Sequence, residues 1–100
     1  MKAVIDGVTI AEADSAELVS IEGNWYFPPQ SLRSELFEQS ATPYTCPWKG
    51  AAQYFSVNVN GTNYPDAAWS YPNLLPGAAE RVGRDFSGYL AFSPGVTVTD

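Results

Sequence analysis

The residues of this chain best equipped for chemistry lie together in one run, Tyr44-Thr45-Cys46-Pro47-Trp48-Lys49-Gly50. It holds the only cysteine, one of the two lysines and one of the three tryptophans. Cys46 is a potential nucleophile. Lys49, three residues on, would favour its thiolate if the two groups approach, and Pro47 stiffens the chain between them. The competing reading is structural, because a free cysteine is among the most buried residue types and is usually inert. Lys49 is itself a potential group for proton transfer or covalent catalysis, or for orienting a bound ligand. A lone cysteine excludes a disulfide framework and an intramolecular redox cycle.

Trp25 and Trp48 stand beside Asn24 and Pro47, and Trp69 lies three residues before Pro72, so each is close to a turn signal. Aromatic side chains so placed can form a cage for a flat or cationic ligand, with core packing as the alternative. Tyr44 and Tyr71 belong to the same segments and extend the set.

The composition narrows the classes. The chain has 100 residues, a net charge of −6 and no histidine. It is read as one domain, residues 1–100. Five cations cannot form a basic stripe, so nucleic acid and anionic membrane surfaces are not expected partners. Without histidine, Ser-His-Asp and Cys-His activation are excluded, as are the common histidine-containing zinc sites. No cofactor or metal is expected. No apolar run approaches the ~18 residues of a membrane span, and the first residues do not resemble a signal peptide, so a soluble cytoplasmic protein is expected. Asn60-Gly61-Thr62 has the form of a glycosylation sequon but reads as a turn.

The elements that must position these groups are short strands. Ala3 to Ile10 alternates around Asp6-Gly7, a two-residue hairpin signature. Glu17 to Glu22 alternates with Val19 and Ile21 inward, and Gly23-Asn24 is taken as the turn before Trp25-Tyr26-Phe27. Pro28-Pro29 blocks a ladder, and Leu32, Leu36 and Phe37 fall at helical spacing, so a short helix is expected within 30–38. Residues 51–59 should form the longest strand, Asn60-Gly61 its hairpin turn and 62–66 the return. Residues 76–83 suggest a helical turn, with Arg81 and Arg84 near its end complementing the dipole. Strands follow at 88–92 and 96–98. This pattern is mainly β: a small antiparallel sandwich or partly open barrel with one or two short helices.

The Asn60-Gly61 turn sets a register in which Val59 faces Thr62, Val57 faces Tyr64, Phe55 faces Asp66 and Gln53 faces Ala68. Alternation then puts Lys49 and Gln53 on one face with Asp66. A buried Asp66 would need a cation, and Lys49 is the expected partner. Cys46, Trp48, Lys49, Asp66 and Trp69 should therefore converge on one cavity.

Four segments together resemble a known family. They are residues 23–29 (Gly-Asn-Trp-Tyr-Phe-Pro-Pro), 44–50 with its Cys-Pro-Trp-Lys-Gly run, 66–72 (Asp-Ala-Ala-Trp-Ser-Tyr-Pro), and 88–92 (Gly-Tyr-Leu-Ala-Phe). The chain is similar over nearly its whole length to the domain-of-unknown-function family numbered four-two-seven, found mainly in bacteria and also in fungi. The resemblance implies a small, aromatic-rich, predominantly β fold, comparable with β-tent domains. Several of those hold zinc with four cysteines, which one cysteine cannot do. The family is also labelled nucleotidyltransferase-like. That chemistry needs paired carboxylates for Mg²⁺ and donors for phosphates. The nearest pair, Glu12 and Asp14, reads as a solvated turn, and no phosphate-binding glycine motif occurs.

The function expected from these residues is a small-molecule-binding module. Trp25, Tyr44, Trp48, Lys49, Gln53, Asp66, Trp69 and Tyr71 are its candidate ligand-binding residues. The alternatives are a small enzyme using Cys46, Lys49 or Asp66, and a protein-interaction domain using a sheet face.

Overall fold

The alternation in the sequence is realised as eleven short strands and one α-helix in a computed structural model describing residues Met1–Asp100. Strands β1 (Lys2–Ile5), β2 (Val8–Glu12) and β11 (Thr97–Thr99) form a three-stranded sheet in the order β11-β1-β2. A four-stranded sheet has the order β10 (Leu90–Phe92), β9 (Thr62–Ser70), β8 (Gln53–Val59), β5 (Phe37–Gln39). Two ribbons complete the set, β3 (Val19–Ile21) with β4 (Asn24–Tyr26) and β6 (Thr45–Cys46) with β7 (Gly50–Ala51). Every pairing is antiparallel and no sheet closes into a barrel, so the chain is a small β sandwich. Its helix α1 (Ala78–Val82) ends on Gly83 at φ 89°, the left-handed stop that glycine supplies. No helix is long and apolar enough to cross a membrane.

Side chains alternate across a strand, and the four-stranded sheet uses both of its faces. One face packs on the three-stranded sheet, where Ile5, Ile10, Val57, Val59, Ala68, Leu90 and Phe92 share the larger core. Ala91, between Leu90 and Phe92, points the other way. It joins Val19, Ile21, Tyr26, Cys46, Tyr71, Ala78 and Phe86 in a second core. Each β10 residue is thereby buried, which a strand covered on one face alone would not allow. The second core is roofed by the two ribbons and α1, and it carries most of the chemistry.

The two strongest turn signals hold. Asp6-Gly7 (φ 50° and 75°) and Asn60-Gly61 (φ 52° and 77°) are two-residue hairpin turns with both residues left-handed. Val59 pairs with Thr62 and Val57 with Tyr64. Beyond Val57 the expected register fails. The ladder shifts between Phe55 and Val57, so Phe55 pairs with Ala68 and Gln53 with Ser70. Asp66 sits in the extra stretch of β9 at φ 51°, a bulge conformation that re-aims its side chain. The return strand is consequently the longest in the fold, at nine residues against seven for β8.

The helix expected within 30–38 is replaced by two 3₁₀ turns, Pro29–Ser31 and Ser34–Leu36, and by β5. The backbone there finds partners outside the segment. Arg33 N–H donates to the Ile10 carbonyl at 2.9 Å, Leu32 bridges Ala11, and Phe37 pairs with Val57. Nine residues are too few for a self-sustaining helix, so sheet edges take the segment. Leu32, Leu36 and Phe37 still reach the larger core.

Candidate functional site

The Cys-Pro-Trp-Lys-Gly run is a three-residue turn between β6 and β7, with Cys46 paired to Gly50. Gly50 has φ 120°, and a Cβ there would stand 2.8 Å from the Asn73 carbonyl oxygen. Only glycine permits this approach. Leu75 N–H donates to the Lys49 carbonyl at 3.1 Å and ties the turn to the 73–75 segment. Cys46 drops into the second core, and Trp48 meets the Phe86 ring at a centroid distance of 6.4 Å. The Lys49 side chain then has one direction left, inward.

Lys49 is 4% exposed, an unusual state for lysine. Its Nζ lies 4.6 Å from the Trp48 ring centroid and 5.3 Å from that of Tyr71. It donates to Glu22 Oε1 in an ion pair. Burial alone would lower its pKa, but the Glu22 hydrogen bond and the neighbouring Tyr26 and Cys46 outweigh that and raise it. The Glu22 carboxyl is held below its ordinary value, chiefly by the Lys49 hydrogen bond. The partners are unequal: the Glu22 side chain is 58% exposed and that of Lys49 5%. Glu22 (φ 53°) and Gly23 (φ 83°) form the two-residue turn of the β3–β4 ribbon, which sets the carboxylate above the ammonium.

Beside the ammonium lies a cavity of about 230 Å³ lined by Glu22, Asn24, Tyr26, Tyr44, Lys49, Tyr54, Trp69 and Tyr71. Its walls are braced. The Trp69 indole N–H donates to the Tyr26 hydroxyl at 3.2 Å, and the Tyr54 and Trp69 rings lie 6.3 Å apart. Burial pushes the Tyr26 and Tyr71 phenols up, so both remain neutral hydroxyls over the physiological range. The site therefore offers one fixed cation and hydroxyl groups that donate or accept, on a mainly polar wall.

Of the residues expected from sequence, Lys49, Trp69, Tyr44 and Tyr71 meet in this cavity. Trp48 touches the ammonium, but its exposed side lines a neighbouring cleft where the Arg81 guanidinium stacks 4.3 Å from its ring centroid. That contact gives Arg81 a role beyond the helix end. Trp25 lies on the other side of Asn24 and Trp69, in an apolar groove. Cys46 is buried, so its thiol is not presented to solvent. Two expectations are corrected. Asp66 is not the partner of Lys49: the register shift carries it away, and it accepts from the Thr42 hydroxyl at 2.7 Å. Gln53 does not face the cavity as a free amide, since its NH₂ group donates to the Ser40 and Tyr54 carbonyls at 2.9 and 2.8 Å. Gly50 and Ala51 pair with β6 and not with β9, so Lys49 does not share the face of Phe55, Val57 and Val59.

Glu22, Asn24, Tyr26 and Tyr54 complete the cavity without having been singled out. Tyr54 alternates with Gln53 and Phe55 and takes the opposite face, so an expected cavity on the Lys49 and Gln53 face leaves it out. Glu22 and Asn24 depend on the β3–β4 turn, which lies at Glu22-Gly23, one residue before Gly23-Asn24. No three acid, cysteine or histidine side chains lie close enough together to hold a metal ion. A family model described as Domain of unknown function (DUF427) matches residues 1–99. No curated protein matches the chain.

Proposed function

The chain belongs to that family, and we propose that it is a small-molecule-binding module whose ligand occupies the tyrosine-lined cavity beside Lys49. The observation that carries this reading is the buried ammonium. Taking an ammonium out of water costs several kcal/mol. A site needing only packing would hold leucine or methionine there. Lys49 instead keeps its charge at 4% exposure, fixed between two aromatic faces at the edge of a concave wall. Such a group suits recognition, because its orientation is set before a ligand arrives.

The same features favour recognition over covalent chemistry. A lysine nucleophile needs a lowered pKa, and Lys49 has a raised one. Cys46 lies beneath the surface as a core residue.

A fragment screen by protein-observed NMR tests the proposal. Fragments that bind should shift the Trp69 indole N–H resonance, assigned through Trp69→Phe, and should lose affinity on Lys49→Met. Hits that leave that resonance unmoved, or that bind Lys49→Met equally well, would overturn it.

A further inference from the structure

We infer that the ligand is a small monocarboxylic acid with an apolar tail, and that its carboxylate takes the place of Glu22 on Lys49. The inference rests on the binding reading above and names its ligand class. The ammonium has three N–H donors, and Glu22 Oε1 is its one carboxylate partner. The two partners differ in what holds them. Lys49 is clamped by the Trp48 and Tyr71 rings and by burial. Glu22 stands at the rim on a ribbon turn, with a side chain 58% exposed. Swinging Glu22 into water exposes a carboxylate that is already largely hydrated. A ligand carboxylate in its place restores the charge pair, so the exchange is nearly balanced electrostatically. Net affinity then comes from the rest of the ligand.

The surroundings say what that rest is. The cavity, at about 230 Å³, is smaller than the ~300–1,000 Å³ usual for drug-sized ligands. A separate groove of about 370 Å³ shares Asn24 and Trp69 with it and is lined also by Trp25, Phe92 and Val96. A carboxylate on Lys49 can thus lead a flat or aliphatic tail past Trp69 into apolar surface. A phosphate dianion suits the site less well. No arginine lines the cavity, and Arg81 is stacked on Trp48.

The test is calorimetric titration with 4-phenylbutyrate, phenylacetate, 4-phenylbutyramide, 4-phenylbutylamine and inorganic phosphate, with the Trp69 indole resonance followed in parallel. Phenylbutyrate should bind more tightly than phenylacetate, and at least about tenfold more tightly than its amide. Glu22→Gln removes the internal competitor and should tighten phenylbutyrate binding about fivefold. Glu22→Asp, whose shorter arm loosens the clamp while keeping a charge, should act in the same direction and serves if Glu22→Gln folds poorly. Lys49→Met should lose the preference for acid over amide. If the amide or amine equals the acid, if phosphate binds better, or if both Glu22 variants weaken the acid, the carboxylate inference falls. The cavity reading then survives on the Trp69 shift. If no probe moves Trp69, both fall.

Discussion

The unequal burial of Lys49 and Glu22 predicts that removing the exposed partner harms the fold more than removing the buried one. Glu22→Gln leaves the ammonium in place without a counter-ion. Breaking a fully buried pair in this way costs about 3–5 kcal/mol. Here water reaches the vacated rim, and the Trp48 and Tyr71 faces still hold the charge, each worth roughly 0.5–2 kcal/mol. The expected loss is therefore about 1–2 kcal/mol. Lys49→Met works in the opposite sense. The orphaned Glu22 carboxylate is 58% exposed and is solvated where it stands. Methionine fills the space between the rings, and the desolvation cost of the ammonium disappears. The cation–π contacts and ion pair are lost in exchange, so the net change should lie within about 1 kcal/mol of zero. Urea unfolding at pH 7, followed by tryptophan fluorescence, resolves the difference. With a slope near 1 kcal/mol/M for a chain of this size, Glu22→Gln should lower the midpoint by about 1–2 M, and Lys49→Met by less. A Lys49→Met loss above about 2 kcal/mol and exceeding that of Glu22→Gln would refute the reasoning, because the pair would then be a buried clamp holding the fold together.

Three further outcomes follow from the same geometry. Tyr26, Lys49 and Tyr71 all have raised pKa values, so each contributes stability that is complete below its unfolded value, near pH 10, and lost as pH rises through the folded value. Alkaline titration should show one cooperative unfolding step above pH 10, up to about 4 kcal/mol per pH unit if all three titrate together, with phenolate absorbance rising in the same step; gradual phenolate formation in a folded protein would contradict it. Gly50→Ala places a Cβ against the Asn73 carbonyl at a φ that side chains avoid, and should cost about 2–4 kcal/mol, read as a fall in Tm of at least ~10 °C. Cys46 is buried, so its thiol should react with a disulfide reagent only at the rate of unfolding; rapid modification of the folded protein would reopen its reading as a nucleophile.

What the sequence made legible follows the residues whose backbone preference is strong. Asn60-Gly61 and Asp6-Gly7 announce left-handed turns, and both hairpins form at those residues. Proline before α1 and glycine after it bound the helix. Alternation locates β1 to β4 and β8 to β11 but not β5 or β6, and the Cys-Pro-Trp-Lys-Gly run forms a turn in which Trp48 and Lys49 are held by contacts. The apolar spacing of the segment at 30–38 satisfies a helix and a sheet edge equally, and the partners at Ile10, Ala11 and Val57 decide between them.

The pairing of Lys49 with Glu22 and the displacement of Asp66 have one physical origin, although strand alternation points to Asp66 as the partner. Both acids are non-glycine residues held at positive φ, 51° and 53°. Such residues are uncommon, and neither aspartate nor glutamate signals the conformation by itself as glycine does. At Asp66 the left-handed backbone inserts a bulge, slips the register of β8 against β9 and delivers the carboxylate to Thr42. At Glu22 it closes the β3–β4 ribbon one residue earlier than Gly23-Asn24 suggests and delivers the carboxylate to Lys49. Two local dihedrals thus exchange the counter-ions of the chain's most buried charge. The exchange bears on function, since a counter-ion on a ribbon tip can swing into water and one inside a ladder cannot.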